Sequence, residues 1–352
     1  MQSSSEALAF GTTSMSDHNS VLKPLSIEQQ KQVATNLLYF FDPRNSHQIR
    51  SQLSLMALAH AEPFSLAQFF DRAAKHRGLP DYSRVRHHIV GVAKNLVRAG
   101  LLYHEGKARS GVLGDQDLFF ASYELSRGAS RGTLFLGKAL GPSYIAHEIQ
   151  RALVAISGLT ADQDVTVGTG LHVHPEYIVT CDHVIRDMTV DRTLEVDGVW
   201  VSVVDCLKNV KLGIDVGVIR VKPPVPLALP DLLFRDANLL EDVLVAGFPT
   251  VPTSTTRFPT FQRGEISQID VPTFWGTDVD LFSAIARPGN SGGPLVTLEG
   301  NVVGLVTQSL ERERENADRT SVLPFFAAVP ACDIRTEFEA LTPIALPWET
   351  YE

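Results

Sequence analysis

The sequence is poor in cysteine, methionine and tryptophan: its 352 residues hold three, four and three of them. The cysteines (Cys181, Cys206, Cys332) are too few and odd in number for a disulfide framework, which points to a reducing compartment and a cytoplasmic location. No run of 18 apolar residues occurs, so no membrane-spanning helix is expected. Met1 to Asn19 is rich in Ser and lacks the basic start and apolar centre of a signal peptide. There is no glycine-rich phosphate loop and no dinucleotide fingerprint, so no nucleotide cofactor is indicated. Positive charge is short as well. With Lys+Arg 31 against Asp+Glu 40 the net charge is −9, which argues against a wholly basic nucleic-acid binder but leaves room for a local basic patch.

What is present is a globular composition, with 44% hydrophobic, 20% charged and 8% aromatic residues. At about 150 residues per domain the chain should hold two or three domains. Residues 1–24 are polar and read as a flexible tail. A helical period follows from Ser26 to Phe41, with Val33, Leu37, Leu38 and Phe41 on one face, and Asp42-Pro43 stops it. Further helices are expected at Ser46–Ala61, from an N-cap at Ser65, and at Ser83–Ala99 with Gly100 as the C-terminal cap. A short apolar segment, a polar stretch with three glycines and a strand-like Leu118–Leu125 then predict a two-stranded hairpin. Helices followed by such a hairpin resemble a winged helix, so residues 25–126 are expected to form a helical, winged-helix-like regulatory domain.

The charge of that region is distinctive. Residues 71–110 hold nine Lys/Arg and three acids, a window of +6 within a chain whose remainder is −15. In a winged helix the third helix and the wing meet DNA, which makes Arg84, Arg86, Lys94 and Arg98 candidate phosphate contacts. A solvated helix face, or a surface for a regulatory protein partner, explains the same charges. Residues 127–158 read as a connector: Ser126–Arg131 is small, basic and flexible, and Tyr144–Ile156 is expected to be a docking helix. Beyond it come short β-rich runs separated by turn residues, including Val165–Val173, Tyr177–Thr180, Val216–Val221, Val243–Ala246 and Val302–Thr307. This spacing argues for an all-β barrel or sandwich over residues 159–345.

The most specific string is Gly289-Asn290-Ser291-Gly292-Gly293-Pro294. Its glycines permit a sharp turn that exposes the serine oxygen and lets the amides of Gly289 and Ser291 point into one small space. The string resembles the nucleophile motif of chymotrypsin-like serine proteases. A serine hydroxyl needs an imidazole to take its proton, and His183 lies at the end of the strand-like Tyr177–Thr180 in Thr180-Cys181-Asp182-His183-Val184, as the histidine does in that family. Gly168-Thr169-Gly170 matches the family's opening hairpin. The imidazole needs an acid in turn. Asp215 opens the alternating strand Asp215–Val221, as in the family, with Asp205 and Asp187 as rivals that precede no such strand. The order His183, Asp215, Ser291, with gaps of 32 and 76 residues, is the chymotrypsin-type order.

Within that clan the chain resembles the HtrA/Deg branch over residues 160–340, through Gly247-Phe248-Pro249, Arg263–Ser267, Asn301–Thr307 and Phe326–Pro330. The resemblance implies a multi-domain α+β chain ending in an all-β double-barrel protease, a serine endopeptidase that needs no cofactor or metal. No PDZ domain is expected after it, so regulation is expected from the N-terminal side. Asn290 stands where trypsin-type zymogens carry the acid that pairs with a freed N-terminus, so activation is expected through domain contacts or a cut in Arg127–Arg131. The resemblance puts Ile285, Ala286, Leu305, Val306 and Thr307 around the substrate pocket, implying a small-to-medium apolar side chain before the scissile bond. Glu311–Arg319 is an alternating-charge loop, solvated or docking. His172, His174 and Glu176 suggest a metal pair but lack a fourth ligand. Cys181 is either a redox-sensitive thiol or a small buried hydrophobe. By association, such a protease suggests a bacterial regulatory or defence effector. The rival function is a DNA- or protein-binding regulator whose barrel is inert and only binds peptides.

Overall fold

The computed structural model describes residues 23–75, 82–110, 114–122, 131–208, 213–274, 276–307 and 325–350. Most of the expected tail, most of the Arg127–Arg131 segment and the whole Glu311–Arg319 loop lie outside the described residues. Helix α1 spans Ile27–Phe41, opened by a capping box in which Ser26 and Gln29 satisfy each other's amides and closed where Asp42 turns extended before Pro43. Helix α2 is shorter than its apolar pattern suggests, Ser46–Gln52. Ser54 adopts φ 59° and the Leu55 amide bonds back to the Arg50 carbonyl at 2.8 Å, a left-handed C-terminal closure usually made by glycine. Strand β1 (Phe64–Ser65), α3 (Leu66–Lys75), α4 (Arg86–Arg98), β2 (Leu102–Ser110) and β3 (Gly114–Ala121) follow, and the three strands form a sheet in the order β1-β3-β2. Phe40, Phe41, Phe64, Phe69, Tyr82 and Phe119 fill the centre of this domain, with ring centroids 5.2 to 5.6 Å apart across neighbouring elements.

Two short helices carry the chain to the second domain, α5 (Gly137–Leu140) and α6 (Pro142–Ile149). The docking helix thus ends earlier than expected: strand β4 (Leu153–Leu159) begins inside the segment read as connector, paired along its length with β5 (Val165–His174). Strands β6 (Tyr177–Thr180), β7 (Thr189–Val190), β8 (Thr193–Val196), β9 (Val199–Lys208) and β10 (Gly217–Lys222), with the one-turn helix α7 (Asp182–Arg186), complete the first β unit. Its sheet order is β7-β4-β5-β6-β10-β9-β8, and β4 comes back beside β8 without pairing with it. The second unit contains β11 (Leu233–Phe234), β12 (Asp242–Gly247), β13 (Thr260–Pro272), β14 (Asp278–Phe282), β15 (Pro294–Thr297), β16 (Asn301–Val306) and β17 (Phe326–Pro330), then helix α8 (Ala331–Leu341). Here β16 pairs with β17 as well as β15, so six strands close into a barrel with β11 on its edge. The architecture is therefore helices followed by one open, curled sheet and one closed barrel, consistent with a chymotrypsin-like α+β chain in which the first of the two expected barrels stays open because β4 and β8 do not pair.

Helix α6 joins the two domains. Ile145 and Ile149 are buried and meet Leu244 and Ala246 of β12, together with Phe261 and Val296, on the outside of the closed barrel. On its other side Glu148, whose side chain is 5% exposed, receives Lys31 of α1 through both carboxylate oxygens at 2.9 Å, and His147 bonds Glu28 at 2.9 Å. A buried carboxylate stripped of its cation is left uncompensated. Lys31→Met should therefore lower stability by roughly 2–4 kcal/mol, while adding Glu148→Gln should restore most of the loss. Equilibrium unfolding of both variants checks this, and equal stability of wild type and Lys31→Met would remove the ion pair from the docking interface.

Candidate active site

Strand register brings His183 and Asp215 together. Gly217 pairs with Thr180 and Val218 with Val179, so the residues just before β10 run beside those just after β6. Val184 and Ile185 anchor α7 in the core of the first sheet, and Val216 is fully buried below Asp215. The Asp215 carboxylate caps the start of α7, its Oδ1 accepting the His183 amide at 2.9 Å. Its Oδ2 accepts from His183 Nδ1 at 2.7 Å and from Thr307 Oγ1 at 2.6 Å. Burial alone would raise the Asp215 carboxyl, but the ring hydrogen bond and charge of His183, the Thr307 hydroxyl and the His183 amide outweigh it and hold it at about 2. An ionised carboxylate only accepts, so the proton of this bond sits on Nδ1, and Nε2 of a neutral His183 is left with its lone pair. The rivals are placed elsewhere: Asp187 pairs with Arg186, and Asp205 accepts its neighbour's amide on β9.

The serine segment is built peptide by peptide. The Pro288 carbonyl accepts the Thr250 amide at 3.1 Å, and the Asn290 carbonyl accepts the Gly293 amide at 2.8 Å. Because each peptide is planar and trans, anchoring those two oxygens turns the amides of Gly289 and Ser291 the opposite way. Among the described residues these two amides donate to no protein acceptor. Gly289 (φ 100°) and Gly292 (φ 80°) must be glycine on two counts, for a Cβ at Gly289 would strike the Phe248 carbonyl and one at Gly292 would strike Thr169 and Thr180. That last contact seats the serine loop on the strand end that precedes His183. Ser291 is half-buried, and among the described residues its hydroxyl makes no hydrogen bond to His183. Catalytic hydrogen bonds are often long before substrate binds.

The expected pocket residues differ in what they offer. Ile285 is half exposed and Ala286 half-buried. Leu305 and Val306 are consecutive strand residues with cores on both sides, so their side chains are packed away and Val306 contributes its carbonyl, which takes the Gly292 amide at 2.8 Å. Thr307 is drawn to Asp215, a link between the two β units that sequence reading assigned only to a pocket wall. Cys181 is fully buried, donating to the Val306 carbonyl at 3.2 Å, and burial pushes its thiol well up, which is the buried alternative and not the redox-sensitive one. Buried His172 is pushed down to about 4 by desolvation, and His172, His174 and Glu176 form no metal-sized cluster among the described residues.

The Asp215 environment has a consequence for acid stability. A carboxyl held at about 2 in the folded chain and at 3.8 when free contributes stability above pH 4, on the order of 2 kcal/mol, lost as pH falls towards 2. Asp215→Asn should be less stable than wild type at neutral pH, and the gap should close on acidification. Melting temperatures across that range test it; a pH-independent gap would contradict the assignment.

Residues 168–305 match the trypsin-like peptidase domain family. No match to the chain is found among the curated proteins. Among solved structures the Rv3671c protease of M. tuberculosis in its active form is 23% identical, covering 58% of this chain and 88% of that one with a TM-score of 0.42. Its inactive form is 23% identical over 56% and 92%, TM-score 0.41. An HtrA-type protease, AlgW, in a serine-to-alanine form with a tripeptide, is 18% identical over 53% and 59%, TM-score 0.43. The match of residues 168–305 to a trypsin-like peptidase domain supports a serine endopeptidase.

Proposed function

We propose that Ser291 is the nucleophile, His183 the general base and acid, and Asp215 the group that fixes the imidazole and stabilises its cation. Ser291 Oγ attacks the peptide carbonyl while His183 Nε2 takes its proton; the amides of Gly289 and Ser291 hold the oxyanion. Collapse expels the amine, which leaves with the proton from His183, and water repeats the sequence on the acyl-enzyme. No step calls for a metal or cofactor. The observation that carries this reading is the His183–Asp215 pair beside the strand end on which the serine loop is seated, a loop whose Gly289 and Ser291 amides, bonded to no acceptor among the described residues, are turned away from their anchored carbonyls. A barrel that merely held peptides would have no use for an ionised acid fixed on an imidazole, which sets this reading above the inert-barrel alternative. Half-exposed Ile285 with Ala286 supports a preference for small-to-medium apolar side chains before the scissile bond.

The N-terminal domain would restrain or recruit the protease through α6, whose contacts on β12 lie next to the Phe248–Thr250 turn that anchors Pro288. Labelling with a fluorophosphonate probe tests the catalytic reading: the native chain should react, Ser291→Ala should not, and His183→Ala should lose at least ~10²-fold in rate. A native chain that stays unlabelled, or a labelled Ser291→Ala, would overturn it.

A second role is favoured by one observation. Arg84, Arg86, Lys94 and Arg98 are all exposed on or just before α4, and among the described residues none pairs with a carboxylate. The helix–strand–helix–helix–hairpin order supports a winged helix that contacts nucleic acid through α4. A gel shift with duplex DNA should weaken as salt rises and be lost in Lys94→Gln/Arg98→Gln. Binding that is absent, or unaffected by both changes, would leave α4 to a protein partner.

A further inference from the structure

Thr169 occupies a position that the catalytic reading does not use. It lies on β5, fully buried, and each of its polar atoms is engaged. Its amide donates to the Ser291 carbonyl at 2.8 Å, and its carbonyl accepts the Thr180 hydroxyl at 2.7 Å. Its own hydroxyl accepts the Phe248 amide at 2.9 Å and donates to the Gly289 carbonyl at 2.6 Å. The Phe248 N–H can only donate, which leaves the Thr169 hydroxyl hydrogen free for Gly289 and fixes the direction of the relay.

One side chain of the first β unit therefore joins two loops of the second. Of the peptides from Pro288 to Gly292, those whose amides are turned outward are anchored within the second unit, by Thr250 and Gly293. The two that alternate with them, Gly289–Asn290 and Ser291–Gly292, have their carbonyls held by Thr169. Without the hydroxyl, the half-buried Phe248 amide and the buried Gly289 carbonyl both lose their partner, a costly state that movement of the Phe248–Thr250 turn and rotation of the Gly289–Asn290 peptide relieve. At φ 100° glycine meets little steric resistance to such a rotation, and the released Phe248 amide lies two residues before Thr250, whose own amide anchors the Pro288 carbonyl and with it the outward direction of the Gly289 amide.

We propose that Thr169 is a positioning residue for the oxyanion site: its hydroxyl holds the Gly289 carbonyl and, through the Phe248–Thr250 turn that anchors Pro288, the direction of the Gly289 amide, and so couples the assembly of the two β units to transition-state stabilisation. The proposal rests on Ser291 and the two outward amides acting as described above. It assigns Thr169 no contact with substrate.

The test uses the full chain and three forms of residue 169: wild type, Thr169→Val, which keeps shape and removes the hydroxyl, and Thr169→Ser, which keeps the hydroxyl. Saturation kinetics of fluorophosphonate labelling separate the binding constant KI from the rate constant kinact. Thr169→Val should lower kinact roughly 10–100-fold, less than deletion of an oxyanion donor, with KI within about twofold. Thr169→Ser should restore kinact to within about threefold of wild type. Hydrogen exchange followed by mass spectrometry gives a readout independent of Ser291 chemistry: amides of residues 287–293 should lose protection in Thr169→Val and regain it in Thr169→Ser. Unchanged kinact and protection in Thr169→Val overturn the proposal, as does a serine variant as impaired as the valine one. Loss of loop protection in a chain whose wild type does not label would instead count against the catalytic reading while sustaining the role of Thr169 in ordering the loop.

Discussion

A loop that presents two backbone amides side by side, with no acceptor for them among the described residues, is unstable unless its other polar groups are satisfied. That constraint organises this molecule. Between Arg287 and Gly293 the carbonyls of Pro288, Gly289, Asn290 and Ser291 find donors in Thr250, Thr169, Gly293 and Thr169, and the amides of Asn290 and Gly292 find Arg287 and Val306. Four of these bonds go to three residues outside the loop, Thr169 on β5, Val306 at the end of β16 and Thr250 in the turn after β12. The serine loop is consequently a product of the whole assembly of sheet and barrel. Glycines at 289 and 292 allow the close approach but do not by themselves dictate which way the amides face.

The charge network obeys the same logic. Asp215 is held ionised by three donors, two from His183 and one from Thr307, so the first β unit supplies the imidazole and the second supplies part of what keeps its acid charged. Helix α6 adds a third layer. It covers β12 with Ile145 and Ile149 while Glu148 holds Lys31 of the N-terminal domain, so the same helix touches that domain and the strand leading to the Phe248–Thr250 turn. Such adjacency gives domain contacts a physical route to the loop, through Phe248 and Thr250, with no change required in His183, Asp215 or Ser291.

Much of the candidate site was legible in the sequence because its signals are local: a serine among glycines, a histidine after a strand, and an acid before an alternating one. The strands around them were legible for the same reason, since Tyr177–Thr180 and Gly217–Lys222 carry their β character within four to six residues. What was not legible depends on partners distant in the chain. Tyr144, Ile145, Ile149, Ala152, Leu153 and Ile156 keep a helical spacing, yet residues from Leu153 onward are strand because β5 offers a ladder of seven paired residues. Helix α2 stops early through a left-handed Ser54, a conformation with no strong signature in serine. Thr307 was read as a pocket wall, and its hydroxyl finds Asp215 across 92 residues. Thr169 was visible only as the middle of a glycine-flanked hairpin, and nothing in that string announces bonds to residues about 120 positions away.

The central claim is that a tetrahedral adduct forms on Ser291 with its oxygen held by the amides of Gly289 and Ser291. A crystal structure of the chain with a peptide boronic acid bearing a small apolar side chain tests this most directly. The account predicts a bond from boron to Ser291 Oγ and one boronate oxygen about 2.7–3.1 Å from both amide nitrogens. Boron bonded to another residue, or an adduct on Ser291 whose oxygens avoid both amides, would contradict it.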